Sequence, residues 1–517
     1  MSDNQEAAWD RLTAQDHSFL VVEDQGSVAS VGAVQVFTAG KLQKKDGGID
    51  IAAIRHAVLE KLPLIPRYRQ KLAWTPVDGL PVWVDDPDFD VANHVRHVSL
   101  PRPGTEAELM AMAEQIFAEP LPRARPLWDM VVVEGLDGGR YAMINRVHHS
   151  MMDGTAGSQL ANLLFSLDEE QNFGEIAPWA PRPQPTTWEM LTDMARHRVR
   201  LARQLVESSV NLLTAPDPIG RATSLAHSLV DMAHYSANPV SDTPLTGDQA
   251  PGRAFRGFEL PLADVKAMSK ATGTTINDVV LAGVSGGVRE HFLAHGLDPA
   301  ETTFRFSTPV NVRSRDEKVE VDGNRVSSWI VPAPLGCAGG RARLEAIGTK
   351  TTQLKQSDEA ATMELVLGAA EYAPHLLLPL GARAAGSGAI SMIVTNVPGP
   401  QFPLFMQGSR LESLYCMGPV LPGTGVCLAL FSYDGKICFG FNANAAVVRD
   451  LEGFVARVKA SFLSLQREIE AHVAAEEESG APNQRTDVVL PRPVERANGT
   501  AAPQETDREP AALVAGS

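Results

Sequence analysis

The sequence predicts an α/β protein of two lobes, and three observations predict it. At 517 residues the chain is longer than one hydrophobic core usually supports. Short β-branched runs of strand length alternate along it with stretches whose apolar residues recur at helical spacing. A Pro-rich segment at 178–185 interrupts that alternation and marks a lobe boundary. The expected organisation is an N-terminal lobe at 1–185, a helical inter-lobe linker at 186–250, a C-terminal lobe at 251–478 and a disordered tail at 479–517. With 44% hydrophobic and 21% charged residues the chain is globular rather than disordered or fibrous.

In the first lobe, residues 19–22 (Phe-Leu-Val-Val) and 31–37 read as strands, and 49–62 as an amphipathic helix stopped by Pro63. Arg67, Arg69 and Lys71 follow at period-two spacing, as a solvated strand face or a phosphate contact. Asp85, Asp86, Asp88 and Asp90 lack the glycine and distal glutamate of a calcium loop, so a turn capped by Asx side chains is the expected reading. Residues 129–136 and 140–147 form a predicted β-hairpin across Asp137-Gly138-Gly139, with Trp128 ahead of it as core packing.

The second hairpin strand runs into His148-His149-Ser150-Met151-Met152-Asp153-Gly154, and residues 154–165 then return to helical spacing. A strand end places an imidazole at the lip of a cleft, and histidine accepts and returns a proton near neutrality. Asp153 either orients the imidazole or caps the following helix. The bland alternative, two adjacent histidines with no chemistry, stays open on spacing alone. No metal is expected, because adjacent strand residues point to opposite faces and no Cys/His/Glu set completes a tetrahedral site.

Residues 188–213 carry apolar residues such as Trp188, Leu191 and Met194 at helical spacing, with Arg196, Arg198, Arg200 and Arg203 close by. Either a linker helix packed on the lobes or a basic amphipathic helix resting on anionic lipid has this pattern. In the second lobe, alternation over 253–261 predicts a strand and 262–272 a helix, and Thr274 or Thr275 caps another helix. Asn277 and Asp278 fall in its first turn, where they favour the helix dipole. Pro398 and Pro400 argue for a rigid loop containing Asn396 between Ile393 and Phe405. Residues 425–433 and 437–442 form a hairpin across Asp434-Gly435, and Leu451, Phe454, Val458 and Phe462 line the last helix.

A net charge of −16 opposes nucleic acid as a partner. Cys337, Cys416, Cys427 and Cys438 are too few and too irregular for a disulfide scaffold, which fits a reducing cytoplasm. The polar, acidic start of the chain lacks signal-peptide features, and no run of about 18 apolar residues predicts a membrane span.

The segment His148–Gly154 has the pattern HHxxxDG. Other distinctive segments are 12–16 with Phe19, 82–90 with His94 and Val95, Pro126-Leu127-Trp128, 275–278, 309–313, 323–327 and 395–400. Taken in this order over about residues 10–470, they resemble the bacterial wax ester synthase/acyl-CoA:diacylglycerol acyltransferase family of the coenzyme A-dependent acyltransferase superfamily. The resemblance implies the two-lobe fold of that superfamily, with mixed sheets flanked by helices and an active-site channel between the lobes. It implies transfer of a long-chain acyl group from acyl-CoA, the substrate, to a diacylglycerol or long-chain alcohol, with no cofactor.

By the same resemblance His149 is the general base, His148 is structural beside it, and Arg313 holds Asp153. Gly154, Asn277, Asp278 and Asn396 would line the channel or serve the oxyanion, for which Asn277 or a backbone N–H is the donor. The expected partners are acyl-CoA and a lipid acceptor; peripheral association with the inner membrane face or lipid droplets is left open, as is the oligomeric state. Two rival readings are a condensation-type acyl transfer on the same fold, for which the chain encodes no carrier domain, and a silent lipid-droplet-binding protein, against which the intact His149, Asp153 and Asn277 argue.

Overall fold

The computed structural model describes residues 9–24, 26–151, 163–169, 174–213, 235, 237–311, 326–356 and 388–479. In chain order the strands are β1 (Trp9–Arg11), β2 (Ser30–Thr38), β3 (Gln70–Trp74), β4 (Pro81–Asp85), β5 (Val95–Ser99), β6 (Trp128–Leu136), β7 (Arg140–His148), β8 (Thr246–Gly247) and β9 (Arg253–Pro261). They continue with β10 (Arg305–Asn311), β11 (Val326–Pro332), β12 (Met392–Pro398), β13 (Phe405–Met406), β14 (Ser409–Met417), β15 (Gly423–Thr424), β16 (Val426–Tyr433) and β17 (Lys436–Asn444). The helices are α1 (Ala14–Asp24), α2 (Ile51–Lys61), α3 (Glu106–Ala118), α4 (Thr187–Leu213), α5 (Leu262–Thr272), α6 (Ile276–Ala294), α7 (Gly340–Gln356) and α8 (Leu451–Ser479). Met1–Ala471 form one compact unit and His472–Ser517 a second, of which the described part is the end of α8. The predicted tail beyond Ser479 lies outside the described residues.

Two six-stranded mixed sheets dominate. The first has the order β13-β14-β2-β7-β6-β5, parallel only between β5 and β6. The second has the order β11-β10-β12-β16-β17-β9, with β12 parallel to both β10 and β16. A three-stranded sheet β1-β4-β3 and the pair β15-β8 complete the set.

The run Met130-Val131-Val132-Val133 in β6 is apolar throughout because both faces of the first sheet are covered. Met130 and Val132 join the core that includes Ile54, Ala57 and Val58 of α2. Val131 and Val133 point the other way, onto Leu109, Ala113 and Phe117 of α3. Asp50 caps α2, its Oδ1 accepting from the N–H groups of Ala52 and Ala53. Trp128 is buried, and its indole N–H donates to the Tyr68 carbonyl at 2.8 Å.

The sheets are joined through β14. It pairs with β2, Leu411 opposite Phe37 and Met417 opposite Gly32, although it comes from the second half of the chain. It also lies against the second sheet where Gly440 of β17 faces Gly257 of β9. A β-carbon on Gly440 would collide with the Cys416 backbone, and one on Gly257 with the Tyr415 ring. Those two glycines are the close approach that lets one strand serve two layers.

Four expectations change. Residues 19–22 are helical, inside α1, because Thr13 and Asp16 form a cap at its start and the helix buries Asp16 and Leu20 one turn apart. Helix capping and packing override the β-propensity of the short Val-Val run. Asn396 and Pro398 lie in strand β12, not in a loop; among the described residues β10 pairs with β12 only as far as Ile393, so Pro398 breaks no ladder bond to β10 there. Arg67 and Arg69 belong to a 3₁₀ turn, where the Arg67 guanidinium covers the Trp83 ring and that of Arg69 the Trp179 ring, while Lys71 pairs with Asp86. Trp188 is exposed, and α4 packs instead through Met190 onto Trp9, Val82 and Val84.

Three of the four aspartates at 85–90 act as caps or ion-pair partners. Asp85 holds Arg182, Asp86 accepts from the Asp88 N–H, and Asp90 caps the 3₁₀ turn at Val91–Asn93.

The β6–β7 hairpin is fastened by a buried ion pair. Arg146 Nε donates to Asp129 Oδ1 at 2.9 Å and Nη2 to Oδ2 at 2.7 Å, while Nη1 donates to the carbonyls of Ile116 and Glu119 at the end of α3. Asp129→Ala strands a buried guanidinium, a loss worth about 3–5 kcal/mol. Urea unfolding of this variant should show a fall of that order, whereas Arg96→Ala, which removes the more exposed of the two guanidiniums on Asp129, should cost far less.

Candidate active site

β7 ends at His148, and a 3₁₀ turn at His149–Met151 begins at the next residue. Strand alternation therefore stops at His148 and does not decide where His149 points. Two backbone hydrogen bonds fix the junction: the His148 N–H donates to the Leu127 carbonyl and the His149 N–H to the Ala29 carbonyl, each at 2.9 Å.

Both rings meet α1. The Phe19 ring stacks on the His149 imidazole with centroids 3.9 Å apart and an interplanar angle of 16°. One turn later, Glu23 Oε1 lies 3.5 Å from His148 Nε2, longer than a hydrogen bond. Spacing of four residues puts both groups on the same face of α1. Arg123 donates to Glu23 Oε2 at 3.0 Å and also pairs with Asp24.

The two histidines differ in burial and bonding. The His148 side chain is fully buried. Its Nδ1 accepts from the Ser150 N–H at 3.1 Å and lies 2.6 Å from the Ser150 hydroxyl. A nitrogen that accepts from a backbone N–H carries no proton, which leaves Nε2, on the side of Glu23, as the nitrogen that carries one. His149 keeps a partly accessible surface while its Nδ1 is buried with no hydrogen-bond partner among the described residues. Burial pushes the His149 pKa down to about 4; contact with its own backbone opposes that shift and His148 reinforces it. For Glu23, burial alone would raise the carboxyl pKa, but the facing His148 and Arg123 outweigh it and leave it below the ordinary value.

In the second half of the chain, Thr275 and Asp278 form a capping box at the start of α6. Asp278 Oδ2 accepts from the Thr275 N–H and hydroxyl, and Oδ1 accepts from the buried Thr351 hydroxyl of α7. Asp278 is thus engaged in holding the helix start. Asn277, one residue earlier, accepts at Oδ1 from Asn396 Nδ2 at 2.9 Å, which frees its own amide N–H groups to donate elsewhere. Asn277 and Asn396 meet each other, and His148 and His149 meet α1; no hydrogen bond joins the two groups among the described residues. Asp153, Gly154 and Arg313 lie outside the described residues. No group of three potential metal ligands occurs among the described residues.

The strand expected at 19–22 hides Glu23, since only a helix through those residues brings it to His148. The signal was present: Thr13-Ala14-Gln15-Asp16 has the Thr-x-x-acid spacing of a helix start.

A family model described as the wax ester synthase/diacylglycerol acyltransferase catalytic domain matches residues 12–280, and its C-terminal domain model matches residues 322–466. A probable diacylglycerol O-acyltransferase, tgs1, of Mycobacterium tuberculosis (strain CDC 1551 / Oshkosh) is 30% identical over 87% of this chain and 96% of its own length. An O-acyltransferase WSD of Acinetobacter baylyi is 28% identical over 73% of this chain and 80% of its own. Among solved structures, a wax ester synthase/diacylglycerol acyltransferase from Marinobacter aquaeolei VT8 superposes with a TM-score of 0.64 at 22% identity, covering 89% of this chain and 100% of that one. A starter condensation domain of rhizomide synthetase shares the fold at a TM-score of 0.54 and 15% identity, covering 90% and 95%.

Burial of a neutral ring has a pH consequence whose sign follows from linkage. The unfolded chain takes up a proton on His149 near pH 6.5, and the folded protein refuses it until about 4. Between those values the unfolded state binds more protons, so this ring disfavours the folded form progressively as pH falls from 6.5 towards 4 and has no effect above that window. Histidine NMR should find His149 titrating far below 6.5, and Phe19→Ala should move it back upward by admitting water; a resonance that titrates near 6.5 in the parent protein would refute the burial assignment.

Proposed function

The chain belongs to the wax ester synthase/diacylglycerol acyltransferase family, and from that premise we propose that it moves a long-chain acyl group from acyl-CoA to the hydroxyl of a diacylglycerol or long-chain alcohol. The products are triacylglycerol or wax ester and free coenzyme A. The observation that supports this reading best is His149: an imidazole at a strand end, locked under Phe19, with one nitrogen buried and part of the ring accessible.

With Nδ1 buried, Nε2 is the nitrogen that reaches substrate. It takes the acceptor's hydroxyl proton as the oxygen attacks the thioester carbonyl, and returns that proton to the thiolate when the C–S bond breaks. Protons and electrons balance with no cofactor. A pKa of about 4 keeps the base unprotonated at neutral pH. The tetrahedral oxyanion needs a preorganised donor, and the Asn277 amide, its oxygen already engaged by Asn396, is the group assigned to it.

The acceptor is a lipid, and we place the working protein at the inner face of a membrane or at a droplet surface. Exposed Trp188 with Arg196, Arg198 and Arg200 on α4 supports contact with such a surface. No described helix is long and apolar enough to cross a membrane.

Thiol release from palmitoyl-CoA in the presence of hexadecanol or a diacylglycerol tests the activity directly; no release with either acceptor would favour a silent lipid-binding protein. His149→Ala should lower kcat by about a hundred- to ten-thousand-fold with the fold intact by circular dichroism. A well-folded His149→Ala protein that keeps more than about a tenth of kcat would remove His149 as the base. Asn277→Ala should cost about a hundred- to a thousand-fold in kcat with little change in KM, and an effect confined to KM would rule out the oxyanion assignment.

A further inference from the structure

Glu23 and His148 face each other in the interior, and neither Glu23 Oε1 nor His148 Nε2 has a hydrogen-bond partner among the described residues. They lie 3.5 Å apart, and their side chains are 8% and 0% exposed. Among the described residues this carboxylate oxygen and this imidazole nitrogen face only each other, and such a burial is expensive unless the contact has a use.

We propose that Glu23 is a positioning residue for acyl transfer: it fixes the tautomer of His148, and through that tautomer the turn that carries His149. This inference rests on His149 as the base. The chain of contacts is short. A carboxylate cannot donate, so it requires the imidazole proton on Nε2. With the proton there, Nδ1 is free to accept the Ser150 N–H at 3.1 Å. That bond holds the Ser150 N–H of the 3₁₀ turn at His149–Met151, while the Ala29 carbonyl holds the N–H of His149.

In the other tautomer Nδ1 would carry the proton, the Ser150 N–H would lose its acceptor, and the backbone on either side of His149 would no longer be held from both ends. Arg123 keeps the carboxylate in place, its Nη2 donating both to Glu23 Oε2 at 3.0 Å and to the Leu20 carbonyl at 3.2 Å. The same helix face supplies Phe19 to the His149 ring, so α1 grips both histidines one turn apart.

Glu23→Gln is the informative substitution, since a glutamine amide is nearly isosteric but can donate to Nε2 and so stabilise the wrong tautomer. It should lower kcat roughly ten- to a hundredfold while KM for palmitoyl-CoA stays within about threefold, as expected of a residue that acts on the chemical step through another side chain. The decisive measurement is a double-mutant cycle with His148→Asn. An asparagine oxygen takes the place of Nδ1 and accepts from Ser150, but offers nothing at the Nε2 position for Glu23 to select. In that background Glu23→Gln should cost less than about threefold.

Equal losses in both backgrounds would overturn the proposal, since Glu23 would then act by anchoring α1 and not through the ring of His148. If Glu23→Gln does not fold, Glu23→Asp takes its place: its shorter reach withdraws the carboxylate from Nε2, and the resulting kcat loss should likewise shrink below about threefold in the His148→Asn background, equal losses again overturning the proposal. Failure of the base assignment reads differently: His149→Ala would keep its turnover, while the coupling between positions 23 and 148 would still be present or absent on its own terms.

Discussion

Two backbone hydrogen bonds fix the strand end that carries both histidines, those from His148 to the Leu127 carbonyl and from His149 to the Ala29 carbonyl. They tie the end of β7 to segments flanking β6 and β2, its two neighbours in the sheet, so the last strand residue cannot drift along or across the sheet. Behind that point, Asp129 and Arg146 bind the same two strands to α3. A proton-transfer group must be held within a fraction of an ångström to be useful. Here the backbone is fixed before the side chains are considered, and α1 then fixes the rings.

With His149 as the proposed base, its environment trades base strength for availability. Burial lowers its proton affinity, so such a base would pull less on an acceptor hydroxyl, and in return the ring is unprotonated throughout the neutral range. Asn277 has its counterpart device: with its oxygen satisfied by Asn396, the orientation of its donor end no longer depends on solvent.

Much of this was legible in the sequence, and the reasons for the remainder are physical. The hairpin around His148 and His149 was plain because β-branched runs and an Asp-Gly turn act locally, and so was the start of α6, where Thr275 and Asp278 cap each other over four residues. The strand reading of 19–22 failed because four apolar residues do not separate period two from period 3.6, and with it went the contact of α1 with both histidines. β12 was obscured by Pro398, a residue that opposes a central strand but is tolerated where, among the described residues, pairing with β10 has ended at Ile393. The pairing of Asn277 with Asn396 joins positions far apart in the chain, and no local pattern encodes it.

The same long-range logic governs how the chain must be made. β2 emerges from the ribosome early, yet one of its two partners, β14, is among the last strands synthesised. Until Leu411 arrives opposite Phe37, the flank of β2 that β14 will occupy is an unpaired strand edge, and such edges recruit other chains. Closing a loop of that length also makes the step slow. The N-terminal half can assemble its hairpin and helices during translation, but it cannot complete its sheet alone, so truncated products and stalled nascent chains of this protein are the species that will aggregate or need a chaperone.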